Sequence, residues 1–219
     1  MATGDSAIAT FMQSAPRLFS LLHQMRPTWQ LPALQALDAA FVERHAITGI
    51  IWDVDGTLTG DRRPALAPEV EAPFQALRSL SSLRHVVLSN AGEVRYLELG
   101  RMFPRMPILR AYTLGEAVLF RRLLNGADTW TSEELRVRLA EGARVIRKPS
   151  GLLVEYAVRE LGGMKEGVLM VGDQHLTDIA GANLTGVRSV KLPTLAPESF
   201  RRSVRISQRI EALLYTLLY

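Results

Sequence analysis

Strand-length apolar runs alternate with helix-period segments through the middle of this 219-residue chain, and each run ends on a polar group that is costly to bury. The stretch "ITGIIWDV" (48–54) is rich in β-branched residues and bounded by Gly49 and an Asp-Gly turn, which predicts a strand. "PEVEAPFQALRSLSSL" (68–83) brings Val70, Phe74, Leu77 and Leu80 near one face and predicts a helix. "RHVVLSN" (84–90) is a second strand and "EVRYLELGRMF" (93–103) a second helix, while "ILRAY" (108–112) and "ARVIRKP" (143–149) give short strands. "SGLLVEYAVRELG" (150–162) is a helix with Ser150 at its N-cap and Gly162-Gly163 past its end. "GVLMVGD" (167–173), "LTDIAGANLTG" (176–186) and "VRSVKL" (187–192) continue as strand, helix and strand. Strict alternation of this kind predicts an α/β fold, a doubly wound parallel sheet.

In such sheets the ligand sits beyond the carboxyl ends of the strands. The groups there are Asp53 and Asp55 after the first strand, Ser89 and Asn90 after the second, Lys148 after "ARVIR", and Asp173 after "GVLMVG", with Asp178 five residues on. Each alone has an ordinary reading: Ser-Asn as a turn, a lysine before proline as a solvated loop charge, an aspartate after a strand as a helix cap. Four strand ends delivering carboxylates, a hydroxyl and an ammonium to one rim make a candidate site instead. Burial and mutual repulsion both disfavour ionised carboxylates, so the Asp53–Asp55 pair calls for a nearby cation, with a metal ion as the candidate. Gly56 lets the backbone turn tightly there, and Thr57 can brace the turn.

The remaining composition narrows the function class. With no cysteine the chain has no disulfide, no thiolate metal site and no cysteine nucleophile. The four histidines, His23, His45, His85 and His175, show no metal-ligand spacing; His175 lies near the site as a loop residue or a substrate contact. The N-terminal "MATGDSAIATFMQ" lacks a basic n-region and a cleavage site, and no run reaches the roughly 20 apolar residues of a spanning helix. A cytoplasmic location is therefore expected. A net charge of +4 favours anionic partners. Nucleic acid is not expected among them, because no aromatic-interleaved basic stretch is present.

The site residues carry a family resemblance. Asp-x-Asp-Gly-Thr (53–57), strand-terminal Ser89, Lys148 and Gly-Asp-x-x-x-x-Asp (172–178) resemble, in order, the four motifs of the haloacid dehalogenase-type phosphatases. The resemblance implies a Rossmann-like fold and Mg²⁺-dependent hydrolysis of a phosphomonoester. Asp53 is the implied nucleophile and Asp55 the implied acid and base. Mg²⁺ is implied to sit on Asp53, the backbone carbonyl of Asp55, and Asp173, with Asp178 orienting a bound water or Lys148. Gly56, Thr57, Ser89, Asn90 and Lys148 are the implied phosphate-binding set.

Finer features are similar to the phosphatidylglycerophosphate phosphatase-like branch. They are "VGDQHLTDIAGANLTG" (171–186), "RKP" (147–149), the lead-in "LPALQALDAAFVERHAITGIIWD" (31–53) and a basic C-terminal helix. Gly56, where that branch usually has Asn, and residues 113–142 depart from it. The resemblance implies a lipid phosphate as first substrate, with a sugar, nucleotide or other small phosphate as the alternative.

The expected organisation is a helical lead-in over 1–45 and a phosphatase domain over 46–219. The 33 residues between Asp55 and Ser89 leave no room for a large cap domain. Residues 113–142 exceed what one helix and one strand need and predict a small helical insertion, "LGEAVLFRRLLNG" and "TSEELRVRLAEG", the second opening on a Thr131/Glu134 capping box. That insertion is either an ornament on the sheet edge or a shaper of substrate. Two amphipathic segments close the ends. In 15–25, Ser14 is the expected N-cap and Pro16 lies in the first turn. In 198–219, Phe200, Val204, Ile210, Leu214, Leu217 and Leu218 oppose Arg201, Arg202, Arg205 and Arg209. Such a helix either packs on the sheet or lies on an anionic membrane, giving a peripheral association.

Overall fold

The computed structural model describes residues 21–219. Most of the segment 15–25, with its expected cap at Ser14, lies outside them.

One nine-stranded sheet forms the centre, in the order β1-β9-β8-β2-β3-β4-β5-β6 with β7 beside β4. The strands are β1 (Trp29–Gln30), β2 (Gly49–Trp52), β3 (Arg84–Val87), β4 (Ile108–Leu114), β5 (Ala117–Leu124), β6 (Ala127–Asp128), β7 (Arg144–Ile146), β8 (Val168–Gly172) and β9 (Arg188–Lys191). From β1 to β4 all neighbours run parallel; β5, β6 and β7 are antiparallel additions. The helices are α1 (Ala39–Arg44), α2 (Pro68–Arg78), α3 (Glu93–Met102), α4 (Ser132–Ala140), α5 (Gly151–Leu161), α6 (Ala180–Asn183) and α7 (Arg202–Leu218).

Both faces of the sheet are covered, which is why β2 and β8 are apolar throughout rather than alternating. On one face Ile50, Trp52, Val87, Leu169 and Val171 pack with Phe74 and Leu77 of α2 and with Tyr96 and Leu99 of α3. On the other, Ile51, Val86 and Met170 pack with Leu153, Val154, Ala157 and Leu161 of α5. Side chains alternate across a strand, so neighbouring Ile50 and Ile51 serve opposite layers. The expected doubly wound α/β sheet is present, and no large cap domain intervenes between β2 and β3. Helix α5 ends as expected, with Gly162 in the left-handed region at φ 62°. Ser150 stands at its N-cap without a side-chain bond.

The segment 113–142 departs from the helical expectation in its first half. "LGEAVLFRRLLNG" is not a helix but a pair of hairpins. Strands β4 and β5 pair from Ile108–Leu123 to Leu114–Ala117 around Gly115-Glu116, and β5 folds back onto β6 around Asn125-Gly126. Asn125 and Gly126 both take positive φ, 52° and 76°, as a type I′ turn requires. Asn-Gly between β-branched and aromatic runs is the sequence signal for this, and it outweighs the helical spacing. The second half is helical as expected. Thr131 caps α4, its hydroxyl accepting from the Glu134 N–H while Glu134 accepts from the Thr131 N–H.

The hairpin strands also carry buried charge. Arg110 and Arg121, 6% and 2% exposed, both pair with Glu93 at the start of α3, and Arg121 pairs with Asp128 at 2.7 Å. Arg110 also donates to the carbonyl of Ala91, next to Ser89 and Asn90. The insertion is thereby tied to the loop that follows β3.

Candidate active site

Strands β2 and β8 are in register from Gly49–Val168 to Trp52–Val171, so Asp53 and Asp173 leave the sheet side by side. The Asp53 N–H still donates to the Val171 carbonyl. Oxygens of Asp53, Asp173 and Asp178 lie within 4.8 Å of one another, and all three residues are buried. Lys148 is 2% exposed and bridges the group, with Nζ 2.5 Å from Asp53 Oδ1 and 2.7 Å from Asp178 Oδ1. Asp178 thus contacts Lys148 and also joins the carboxylate cluster itself.

The electrostatics follow from dryness. Burial pushes the Asp53 carboxyl up to about 8; Asp178 and Asp173 add to this and Lys148 opposes it. Burial also lifts Asp173, to about 7, with Asp178 adding to the rise. Burial pulls the Lys148 ammonium down, but Asp178 and Asp53 overcome this and hold it above its usual range. Three carboxylates face one ammonium, which leaves two negative charges without a partner when all are ionised. An all-oxygen set with that deficit fits a hard divalent cation such as Mg²⁺.

The backbone beside the cluster admits only glycine. Gly56 has φ +100°, and a Cβ there would stand 2.6 Å from Asp173 Oδ2. At Gly172 a Cβ would overlap the Asp178 carboxylate at 2.3 Å. The Thr57 hydroxyl lies 3.2 Å from Asp53 Oδ2 and 3.4 Å from Asp173 Oδ1 and donates to one at a time. Thr57 therefore serves the carboxylates directly, beyond bracing the turn. Thr194 donates to Asp173 Oδ2 at 2.7 Å.

Other expected residues stand apart from the cluster. The Asp55 side chain is turned to Arg95 of α3, which is 4% exposed and reaches Oδ1 at 2.7 Å and Oδ2 at 3.4 Å. The Thr59 hydroxyl and the Arg62 N–H also donate to Asp55 Oδ1. The Asp55 carboxylate thus lies outside the Asp53–Asp173–Asp178 cluster. Asn90 has a further contact at Lys148. Its side-chain amide bonds both main-chain groups of Lys148, at 2.7 and 3.1 Å, so this amide places the lysine. Ser89 Oγ accepts from the Ala91 N–H. The His175 ring is taken up by other groups: it lies 2.8 Å from the Met25 carbonyl and stacks on Tyr215 at 4.0 Å.

The C-terminal helix differs most. Its inward face is Val204, Gln208, Glu211 and Tyr215, while Ile206, Ile210, Leu213 and Leu217 are 47–72% exposed on the opposite face. Its inner side meets the 173–180 segment rather than the sheet: Gln208 and Glu211 point to its polar part, while Leu214 and Tyr215 pack on the apolar cluster of Met25, Leu176 and Ala180. Glu211 accepts from the His175 N–H, and Gln208 Nε2 lies 3.5 Å from Asp173 Oδ2. Arg95, Thr194, Gln208 and Glu211 had no local sequence signal, because their partners lie 21 to 40 residues away or on a helix face that hydrophobic periodicity assigns to solvent. No helix among the described residues is long and apolar enough to cross a membrane.

Comparisons with known proteins agree with this geometry. The family model described as HAD-hydrolase-like matches residues 145–194, the segment carrying Lys148, Asp173 and Asp178. "Probable phosphatase YqeG" of Bacillus subtilis (strain 168) is 25% identical over 171 residues, covering 78% of this chain and 77% of that protein. A crystal structure of an uncharacterized protein from Listeria monocytogenes serotype 4b aligns with 69% of this chain and 88% of its own. Its TM-score of 0.42 at 17% identity is too low to bear on the fold. With Asp53, Asp173 and Asp178 gathered around one buried lysine at the strand ends of a doubly wound sheet, these likenesses support a phosphatase of the haloacid dehalogenase type.

Proposed function

We propose that the protein hydrolyses a phosphate monoester in a Mg²⁺-dependent reaction through an aspartyl-phosphate on Asp53. The observation that carries this reading is the placement of Asp53: at a strand end, 2.5 Å from Lys148 and within one carboxylate cluster with Asp173 and Asp178. Asp53, Asp173 and Asp178 would hold the Mg²⁺, which would supply the positive charge that lets an anionic nucleophile approach an anionic phosphate. An Asp53 oxygen forms a bond to phosphorus as the bond to the leaving oxygen breaks, and Asp55 gives that oxygen its proton. Asp55 then takes a proton from the water that attacks phosphorus, which releases phosphate and restores Asp53. Lys148 holds the phosphoryl oxygens as charge spreads over them. Asp55 turns from its Arg95 partner to do this work.

For the substrate, the reading is a lipid phosphate presented at an anionic surface, phosphatidylglycerophosphate first. The support is helix α7, whose apolar outer stripe is flanked by Arg201, Arg202, Arg205 and Arg209 while its inner face meets the site. Each arginine adds about 1 kcal/mol of attraction to such a surface at most.

Two measurements test the reading. Asp53→Asn should abolish phosphate release with the fold intact; retention of more than a few per cent of turnover removes Asp53 as nucleophile. Replacing the four arginines with glutamine should reduce hydrolysis of phosphatidylglycerophosphate in vesicles and spare a soluble chromogenic phosphate. Equal rates for the variant and the unaltered protein on every substrate, with no vesicle binding, would make this a phosphatase of small soluble phosphates instead.

A further inference from the structure

The one buried residue of α7 is a carboxylate. Glu211 is 6% exposed and has no salt bridge among the described residues. Burying an unpaired carboxylate is costly unless its oxygens are hydrogen-bonded, so its partners say what it is for. Glu211 accepts from the His175 N–H, and the Leu176 N–H also faces it. Residues 175–179 form a single wide helical turn that runs directly into α6. The first N–H groups of such a turn have no partner within it. No side chain caps this turn from its own N-cap residue, Gln174. Glu211 supplies the missing acceptor from 36 residues away.

The capped turn holds one wall of the acidic cluster. Asp178 lies inside it, Asp173 lies just before it, and Gln208, one helical turn ahead of Glu211, reaches Asp173. His175 is clamped from the other side by Tyr215 and the Met25 carbonyl. Three successive inward positions of α7, Gln208, Glu211 and Tyr215, therefore hold Asp173 and His175, at and just after the end of β8.

We propose that Glu211, assisted by Gln208, is a positioning residue for the divalent cation site, so that the C-terminal helix belongs to the catalytic unit. This rests on the Mg²⁺-dependent reading above. Neither residue touches the reacting phosphate; both act through the main chain and carboxylate of the 173–178 segment. Partners of this kind behind a metal ligand affect affinity by about 10- to 100-fold.

The test is Mn²⁺ binding to the full-length protein, followed by electron paramagnetic resonance without substrate. Glu211→Ala should raise the Mn²⁺ dissociation constant at least tenfold, and Glu211→Gln, which keeps an acceptor oxygen, should recover most of it. Gln208→Ala should weaken binding several-fold. It is half-buried on the helix surface, so it carries the test even where Glu211→Ala does not fold. At saturating Mg²⁺ the KM for a soluble phosphomonoester should be unchanged. Wild-type Mn²⁺ affinity in folded Glu211→Ala, or in Gln208→Ala where the former does not fold, would reduce α7 to a packing element. Because binding is measured without substrate, this outcome is distinct from failure of the phosphatase reading, which Asp53→Asn decides.

Discussion

A glycine and a lysine illustrate how tightly single residues are specified here. Lys148 holds two carboxylates at 2.5 and 2.7 Å in a buried site, and Asn90 fixes its main chain at both N–H and carbonyl. Gly56 borders the same cluster with a backbone conformation that L-residues adopt only under strain of about 1–3 kcal/mol. Its missing side chain also makes room for Asp173. Gly56→Ala is therefore expected to cut Mg²⁺-dependent turnover at least tenfold by displacing Asp173. Gly126→Ala, also at positive φ but with nothing within 4 Å of the added Cβ, should leave turnover unchanged. Steady-state rates for the two variants side by side check this, and equal effects would mean that strain alone matters. The candidate site residues stand out in the sequence because each sits at or near the end of an apolar run, and strand register brings Asp53 and Asp173 side by side. Arg95 and Glu211 were not legible: each is one charged residue in a helix of mixed character, and only the tertiary partner gives it meaning.

At the scale of elements, the strand–helix alternation was legible because β2 and β8 are covered on both faces and so are apolar from end to end. The hairpins were missed because β5 is half-covered, and its apolar residues fit a helical spacing as well as a strand. The Asn125-Gly126 turn resolves that ambiguity, and the buried arginines then explain why the pairing is held. Arg121, 2% exposed, pairs with both Glu93 and Asp128 and lies over the Tyr96 ring at 4.6 Å. Removing one partner from a buried ionic network leaves the others uncompensated, at about 3–5 kcal/mol. Arg121→Met should therefore lower Tm by roughly 10 °C, at a few degrees per kcal/mol for a chain of this size. Differential scanning calorimetry measures this directly. A loss under 2 °C would mean that the hairpin's charges are solvated and that it is held by Tyr112, Trp130, Leu135 and Ala143 instead.

Across the whole molecule, buried groups of two kinds give stability opposite dependences on pH. Burial pulls His85 and His175 down to about 4, so each binds fewer protons folded than unfolded. Their contribution is complete above about 6.5 and is lost as the pH falls toward 4. Burial lifts Asp53 to about 8 and Asp173 and Glu211 to about 7, so each binds more protons folded than unfolded. Their contribution is complete below the ordinary carboxylate range and is lost as the pH rises through 7 to 8. Below about 6.5 the two sets oppose each other; above it the acids act alone. In EDTA the denaturation midpoint should therefore fall most steeply between about pH 6.5 and 8. Saturating Mg²⁺ binds the ionised carboxylates of the folded state and should remove most of that decline. Urea denaturation at half-unit pH steps, with and without Mg²⁺, tests both halves. A midpoint in EDTA that stays flat from pH 6 to 8 would show that these carboxylates are already ionised at neutral pH. The cluster would then be wetter than its burial implies, and the charge deficit that draws the cation would be met by water.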